Sequence, residues 1–153
     1  MSDIVRNSNK KDILFWGAMY RPENYKAAIW FIQNVMPLLS NEDVRFVVAG
    51  NKPPEELKKL ENDKVIVTGF VEDERELFEK SMCFVSPLLT GAGIKVKIIE
   101  AFSAGIPILT NSIGIEGIPA TNKYNYIHCE TAKQYAEAIK KIQNGEIKEQ
   151  RFT

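Results

Sequence analysis

The stretch "TGAGIKVKIIEAFSAGIP", residues 90–107, places a glycine-rich loop immediately before a helix with amphipathic spacing. Glycine allows the backbone to approach a ligand closely. The amino end of a helix presents unpaired N–H groups and a partial positive charge, which favour a bound anion. Lys95 and Lys97 both fall in the predicted first turn, which begins at Ile94, and cations at that end are unfavourable unless an anion is bound. The stretch therefore predicts a loop and a helix end that hold an anionic group.

Short apolar runs and helical segments alternate along the rest of the chain. The runs are rich in β-branched and aromatic residues, which is typical of buried parallel strands, and they cover residues 12–18, 44–50, 64–70, 82–88 and 106–110. Helical spacing covers residues 24–39, 54–62, 73–81, 94–104 and 132–143. This alternation implies right-handed crossovers between strands, so the sequence predicts an α/β fold with a Rossmann-like doubly wound parallel sheet.

Length and composition limit the class of protein. A chain of 153 residues with 44% hydrophobic and 26% charged residues has the size and composition of one globular domain. Twenty basic and twenty acidic residues cancel, which argues against a nucleic-acid partner. No apolar run approaches the roughly 18 residues of a membrane span, and the polar residues 1–11 carry no signal-peptide core. We therefore expect a cytoplasmic protein, with peripheral contact with the inner face of a membrane as a variant of that expectation.

Residue types that often carry catalysis or bind metals give no site here. Cys83 and Cys129 lie in strand-like apolar surroundings and are predicted to be buried, reduced thiols. His128 is the only histidine, and a structural or incidental role is predicted for it. The acidic run 72–74 precedes a helix, so Asp73 is interpreted as a helix cap rather than a metal ligand. We predict no metal site and no cofactor.

The predicted strand order 3-2-1-4-5 places a ligand crevice between the loops that follow strands one and four. Those loops are residues 17–24 and 87–95, and both contain glycine. The dinucleotide fingerprint G-x-G-x-x-G and the P-loop motif are both missing from the chain. Lys95 and Lys97 are candidates to bind phosphate, or are solvated lysines on a surface helix. Glu100, two turns into the helix, is a candidate to bind the ribose of the same nucleotide, or it pairs with Lys97.

These residues carry a resemblance to a known family. The segment "KIIEAFSAGIPILTNSIGIEGI" is similar to the signature "LLEAMAxGxPVVAT…GxxEGI" of group 1 glycosyltransferases of the GT-B fold, and the likeness extends over residues 12–142. The resemblance implies one half of a GT-B fold, the carboxy-terminal domain that binds a UDP-, GDP- or ADP-linked sugar. It also implies a retaining, metal-independent transferase of bacterial polysaccharide or glycolipid synthesis.

The resemblance assigns roles to individual positions. It makes Glu100 the glutamate that binds the ribose and brings a diphosphate to Gly17 and to the loop after strand four, whose candidate residues are Thr90, Gly91, Gly93, Ile94 and Lys95. Phe70 and Val71 would line the base. Ala92 stands where the family has a second glutamate, so the catalytic residues are not assigned. Ala18 and Asn24 stand where the family has arginine and lysine, and Arg21, Lys95 and Lys97 are predicted to supply the missing positive charge.

The resemblance also gives a domain organisation. We expect a linker-like arm over residues 1–11, the donor-binding domain over 12–144 and a loose tail over 145–153. The acceptor site in this family comes from an amino-terminal domain or subunit, so this chain is expected to bind the nucleotide-sugar and to be inactive alone. The alternative is a non-catalytic nucleotide-binding partner subunit or scaffold. The base, the sugar and the acceptor are left open.

Overall fold

A computed structural model describes residues 10–91, 93, 95–122 and 125–146 of the chain. The arm predicted over residues 1–11 and the tail predicted over 145–153 lie almost wholly outside the described residues. Among the described residues, no helix is both long and apolar enough to cross a bilayer.

The described residues form a six-stranded sheet in which all strands run parallel. The strands are β1 (Asp12–Trp16), β2 (Arg45–Ala49), β3 (Val65–Gly69), β4 (Ser81–Ser86), β5 (Ile108–Thr110) and β6 (Ile127–His128). Their order in the sheet is β3-β2-β1-β4-β5-β6. The order reverses between β1 and β4, which confirms the Rossmann-like sheet and the order 3-2-1-4-5 predicted from the sequence.

Helices connect the strands. They are α1 (Pro22–Asn34), α2 (Glu55–Lys58), α3 (Glu74–Lys80), α4 (Val96–Ala104), α5 (Ser112–Ile115) and α6 (Ala132–Gln143), and a 3₁₀ helix covers Met36–Leu39. The α6 bounds match those predicted, because Thr131 and Gln134 form a reciprocal capping box at its start. Asp73 caps α3 by accepting a hydrogen bond from the backbone N–H of Arg75, as predicted.

Alternating side chains of the strands build a core on each face of the sheet. On one face, Phe31 of α1 stacks on Phe46 of β2 with ring centroids 4.4 Å apart, and Tyr135 of α6 closes the same core. On the other face, Phe84 of β4 packs with Ile98 of α4 and with residues of α3. Each such buried side chain contributes about 1.5–3 kcal/mol relative to its exposed state. The two cores hold the sheet rigid, so the strand ends provide a fixed platform.

Several boundaries differ from the sequence prediction. The helix predicted to begin at Ile94 begins at Val96, and Lys95 is its extended N-cap residue, so only Lys97 lies in the first turn. The helix predicted over 24–39 ends at Asn34 and continues as the 3₁₀ helix, because Pro37 has no N–H for a helical hydrogen bond. The sequence did not predict β6 or α5, which have two and four residues and are too short to produce a periodic pattern.

Candidate functional site

The loops after β1 and β4 enclose a cleft at the carboxyl edge of the sheet, where the strand order reverses. Its volume is about 340 Å³. We call it the switch-point cleft, and it is lined by Phe15, Trp16, Gly17, Ala18, Arg21, Glu23, Asn24, Ser86, Leu88, Gly91, Lys95, Val96, Lys97 and Ile98. Open α/β sheets bind ligands at this position because the strand ends and helix amino ends converge there.

Close backbone contact shapes the β1 side of the cleft. The amide of Gly17 donates to Ala49 O at 3.1 Å, and a Cβ built on Gly50 would lie 1.6 Å from Gly17 O, so only glycine fits at position 50. The side-chain amide of Asn24 donates to Ala18 O at 3.1 Å and lies 3.2 Å from where a Cβ on Gly17 would be. Asn24 therefore covers Gly17 and closes this side of the cleft.

Two buried side chains from the end of β5 hold the β4 side. The hydroxyl of Thr110 donates to Ser86 O at 2.8 Å, and the side-chain amide of Asn111 donates to Leu88 O at 2.7 Å. The carbonyl oxygen of Asn111 accepts from the N–H of Gly114 at 2.9 Å and so caps α5. Because Ser86 and Leu88 line the switch-point cleft, these bonds fix the backbone at the start of the loop that follows β4. This loop, residues 87–95, is called the glycine loop.

Lys97 lies between an aromatic ring and a carboxylate. Its ammonium is 3.6 Å from the centroid of the Trp16 ring, and 3.7 Å from Glu100 Oε1 one turn further along α4. The cation–π contact and the ion pair hold the charge of Lys97 in the wall of the cleft. The Lys97–Glu100 pair that the sequence left as an alternative is therefore formed.

Lys95 is held by the loop itself. Its ammonium donates to Gly93 O and, at 3.2 Å, to Ile113 O, and it lies 3.8 Å from Glu116 Oε1. The same Glu116 oxygen accepts a hydrogen bond of 2.7 Å from the backbone N–H of Gly93. The positive φ angles of Gly91 and Gly93, 130° and 85°, place the loop in conformations that glycine adopts readily. A carboxylate thus contacts two donors that the family resemblance assigns to a phosphate.

The structure brings together five of the residues predicted for the site. Gly17, Arg21, Gly91, Lys95 and Lys97 line the switch-point cleft. The guanidinium of Arg21 is 2.9 Å from a carboxylate oxygen of Glu23, so its charge is already partly compensated.

The other predicted residues that the structure describes lie outside the cleft lining. Glu100 and Gly93 are joined to it through Lys97 and Lys95. Phe70, which follows β3, is 71% exposed, and Val71 packs against the core on the α3 side. Thr90 is exposed, and Ile94 lies outside the described residues.

Three residues that shape the site are not predicted from the sequence: Trp16, Asn111 and Glu116. The sequence predicts Trp16 as a residue of a buried strand, although its position at the carboxyl end of that strand, next to the switch point, favours a place in the cleft lining. Asn111 directly follows a strand and precedes a short helix, a pattern typical of an N-cap. For Glu116, no local pattern indicates that its partner lies 23 residues earlier in the chain.

A second polar cluster joins β6 to α5 outside the cleft lining. His128 contacts the hydroxyl of Tyr126 through Nδ1 at 2.8 Å and the carboxylate of Glu130 through Nε2, so the histidine has partners that the sequence did not indicate. Glu130 also accepts from the N–H and hydroxyl of Ser112 at 2.8 and 2.7 Å. Partial burial works to raise the pKa of Glu130, but the hydrogen bonds from Ser112 and His128 outweigh it and the pKa lies below its ordinary value.

The cysteines are buried, free thiols, as predicted. Burial, reinforced by the charge of Glu130, raises the pKa of Cys129 to about 12, so this thiol is protonated and a poor nucleophile at neutral pH. Within the described part of the chain, no three histidine, cysteine, aspartate or glutamate side chains cluster in a way that would hold a metal ion.

Comparison with known proteins identifies the family. The sequence model of the family of group 1 glycosyl transferases matches residues 10–144 of this chain. The chain belongs to the group 1 glycosyltransferases. A curated relative, an uncharacterized 44.6 kDa protein in the cps region of Klebsiella pneumoniae, is 31% identical over 117 residues, which cover 69% of this chain and 30% of that protein. The chain thus spans about a third of the length of this relative.

Solved structures of other proteins share the fold of this chain. A mutant of S. aureus TarM, crystallised with fondaparinux, α-GlcNAc-glycerol and UDP, superposes with a TM-score of 0.75 at 18% identity, over 94% of this chain and 30% of that one. The C-terminal domain of a group 1 family protein, LpcC, from Francisella tularensis superposes with a TM-score of 0.69 at 19% identity, over 90% of this chain and 77% of that one. At these identities the likeness shows a common fold.

Proposed function

We propose that this chain is the donor-binding domain of a bacterial glycosyltransferase and that the switch-point cleft binds a nucleoside-diphosphate sugar. The observation that carries the proposal is the convergence of Lys95, Lys97 and Gly91 on a cleft at the carboxyl edge of the sheet. Two ammonium groups and glycine-rich backbone suit a diphosphate, which needs charge compensation and close backbone approach. The cleft volume of about 340 Å³ is within the usual range of small-molecule sites.

The order of diphosphate, ribose and base along a nucleotide gives the remaining assignments. The diphosphate lies at the glycine loop, against Gly17 and Lys97, and Glu100 accepts hydrogen bonds from the ribose hydroxyls. The base extends towards Phe70 and Val71 beyond β3. The carboxylate of Glu100 lies 3.7 Å from the Lys97 ammonium, so the phosphate-binding cation and the ribose-binding carboxylate are neighbours on α4.

The relatives support this proposal and suggest its biological setting. UDP is present in the TarM complex, and the LpcC structure that this chain matches is a C-terminal domain of a group 1 protein. The Klebsiella relative is encoded in a cps region. We infer that residues 12–144 act as the donor half, that the acceptor is held by an amino-terminal domain or subunit, and that transfer is retaining and metal-independent.

Titration calorimetry with the 153-residue chain tests the donor site. UDP, GDP, ADP and one sugar derivative of each are the ligands, and one base is expected to bind far better than the others. A ligand at a hundred times its dissociation constant also raises the unfolding free energy by about 2.7 kcal/mol, which thermal unfolding detects. If none of the six ligands binds, the proposal is wrong.

The role of Lys97 in phosphate binding has its own control. Lys97→Gln is expected to weaken binding of the diphosphate about three- to tenfold and to leave the matching nucleoside within about twofold, since only the former carries charge. Lys133 on α6 is likewise paired with a glutamate, at 3.9 Å, and Lys133→Gln serves as the matched control. Binding of the diphosphate should also weaken with added salt more steeply than binding of the nucleoside, and equal slopes would contradict the assignment.

Transfer assays test the proposed division of the donor site and the acceptor site between this chain and an amino-terminal domain or subunit. Alone, the chain is expected to bind the nucleotide-sugar and transfer nothing, because a donor and an acceptor react only when both are held in one geometry. Adding the amino-terminal partner should restore transfer in the presence of EDTA, with the anomeric configuration of the sugar retained in the product. Turnover by the isolated chain at about 1 s⁻¹ or faster would refute this division. Nucleotide binding without transfer in the reconstituted pair would favour the non-catalytic subunit.

A further inference from the structure

The carboxylate of Glu116 contacts two donors of the glycine loop. Glu116 Oε1 is 2.7 Å from the backbone nitrogen of Gly93, which donates to it, and 3.8 Å from the ammonium of Lys95. Glu116 follows the carboxyl end of α5, 23 residues further along the chain than Gly93. The contact is thus a tertiary one that joins two separate loops.

A carboxylate oxygen between a backbone N–H and an ammonium makes the contacts that a phosphate oxygen would make there. If these donors bind the diphosphate, the ligand and Glu116 compete for them. The side chain of Glu116 is 54% exposed, so it can rotate into solvent without disturbing a packed core. Lys95 is only 18% exposed and is also held by Ile113 O, so the ammonium remains in the loop when Glu116 leaves.

We propose that Glu116 is a specificity-determining residue of the nucleotide site: its carboxylate must leave the Gly93 amide when a ligand binds, and its charge then disfavours the free nucleoside diphosphate relative to the nucleotide-sugar. The proposal rests on the donor-binding function proposed above. The terminal phosphate of a nucleoside diphosphate carries up to one more negative charge at neutral pH than the same phosphate esterified to a sugar, because its second pKa is about 6. A nearby carboxylate repels the more highly charged ligand more strongly.

This effect would assist turnover. The free nucleoside diphosphate is the product of sugar transfer, and a product that binds more tightly than the substrate occupies the site. Glu116 returns to the Gly93 amide and the Lys95 ammonium as the diphosphate leaves, so the amide regains its hydrogen-bond acceptor and the ammonium its ion-pair partner.

Glu116→Gln tests the inference because it removes the charge while retaining the shape and an oxygen that accepts from Gly93. Calorimetry measures the affinity for the nucleoside diphosphate and the affinity for the nucleotide-sugar of the base that the titrations above select. If that base is uracil, the two ligands are UDP and UDP-glucose. We expect the variant to bind UDP about tenfold more tightly and UDP-glucose about threefold more tightly, so that the preference for UDP rises about threefold. Thermal unfolding of the free variant checks that the fold is intact.

Two further variants separate charge from position. Glu116→Asp keeps the charge but shortens the side chain by one methylene, and it is expected to keep the ratio of the two affinities within about twofold of the native ratio. Glu137→Gln on α6, whose carboxylate is 57% exposed and pairs with Lys133, is the control and should change neither affinity.

The outcomes distinguish this inference from the proposed function. Weaker binding of both ligands by Glu116→Gln would mean that the carboxylate only holds the loop in place, and would overturn the inference. Unchanged affinities, or equal tightening for both ligands, would also overturn it while leaving the donor site intact. If native chain and variant both fail to bind any nucleotide, the proposed function falls together with the inference.

Discussion

Replacing Glu100 with alanine is the most direct test of how the nucleotide is oriented. The side chain is 35% exposed and its ion pair with Lys97 is a surface pair, which contributes at most about 1 kcal/mol to folding. Glu100→Ala should therefore leave the free energy of unfolding within about 1 kcal/mol of the native value. Hydrogen bonds from ribose hydroxyls to a carboxylate contribute about 1.5–3 kcal/mol, so affinity for the nucleoside diphosphate should fall about 10- to 150-fold.

The assay compares the preferred nucleoside diphosphate with its 2′,3′-dideoxy analogue, using calorimetric titration of both proteins. If Glu100 accepts bonds from the ribose hydroxyls, the native chain should bind the analogue as weakly as Glu100→Ala binds the complete ligand. Glu100→Ala should then bind the two ligands almost equally, because it lacks the carboxylate that accepts hydrogen bonds from the ribose hydroxyls. Glu137→Ala, which removes a glutamate from a comparable lysine pair on α6, controls for the general loss of one negative charge.

The alternative role of Glu100 predicts a change of the opposite sign. If the carboxylate only neutralises Lys97, its removal frees an ammonium 3.6 Å above the Trp16 ring in the cleft wall, and phosphate binding becomes tighter. Unchanged or tighter binding by Glu100→Ala would refute the ribose assignment. So would a variant that still discriminates against the dideoxy analogue as strongly as the native chain does.

Three other substitutions test the framework around the site. Asn111→Ser keeps a side-chain acceptor for the N–H of Gly114 but removes the donor to Leu88 O, so one buried acceptor is left unsatisfied. Urea unfolding should show that the free energy of unfolding falls by about 1–3 kcal/mol. A fall of less than about 0.5 kcal/mol would contradict this. The hydroxyl of Tyr135 is buried and has no hydrogen-bond partner among the described residues. Tyr135→Phe should therefore leave the free energy of unfolding unchanged or raise it by up to about 1 kcal/mol. A lower free energy of unfolding would show that the hydroxyl has a partner. The lowered pKa of Glu130 implies stabilisation that is complete above the ordinary pKa of 4.5 and is lost as the pH falls through the lowered value. The stability difference between the native chain and Glu130→Gln should therefore shrink with acidification below about pH 4.5, and a constant difference would refute the pKa shift.

Local patterns in the sequence were sufficient for much of the fold. The periodicity of α6 lies within one segment, and it predicts the bounds of this helix, which the structure shows to begin at a capping box of Thr131 and Gln134. Strand composition and the alternation of elements predicted the parallel sheet and its switch point, because right-handed crossovers leave few topologies open. The family resemblance then pointed to the loop after β4 as the donor site, and Gly91, Lys95 and Lys97 do line the cleft.

Only the tertiary structure decided which partners the charged and polar side chains of the site have. Glu116 contacts Gly93 from 23 residues away, Asn111 contacts Leu88 across the same distance along the chain, and Lys97 of α4 lies over Trp16 of β1. Hydrophobic periodicity reports which face of an element is buried, since burial free energy depends on area and not on direction. Hydrogen bonds and ion pairs are directional and act over a few ångströms. Their partners are therefore set by how the loops meet once the sheet has brought the ends of its strands together.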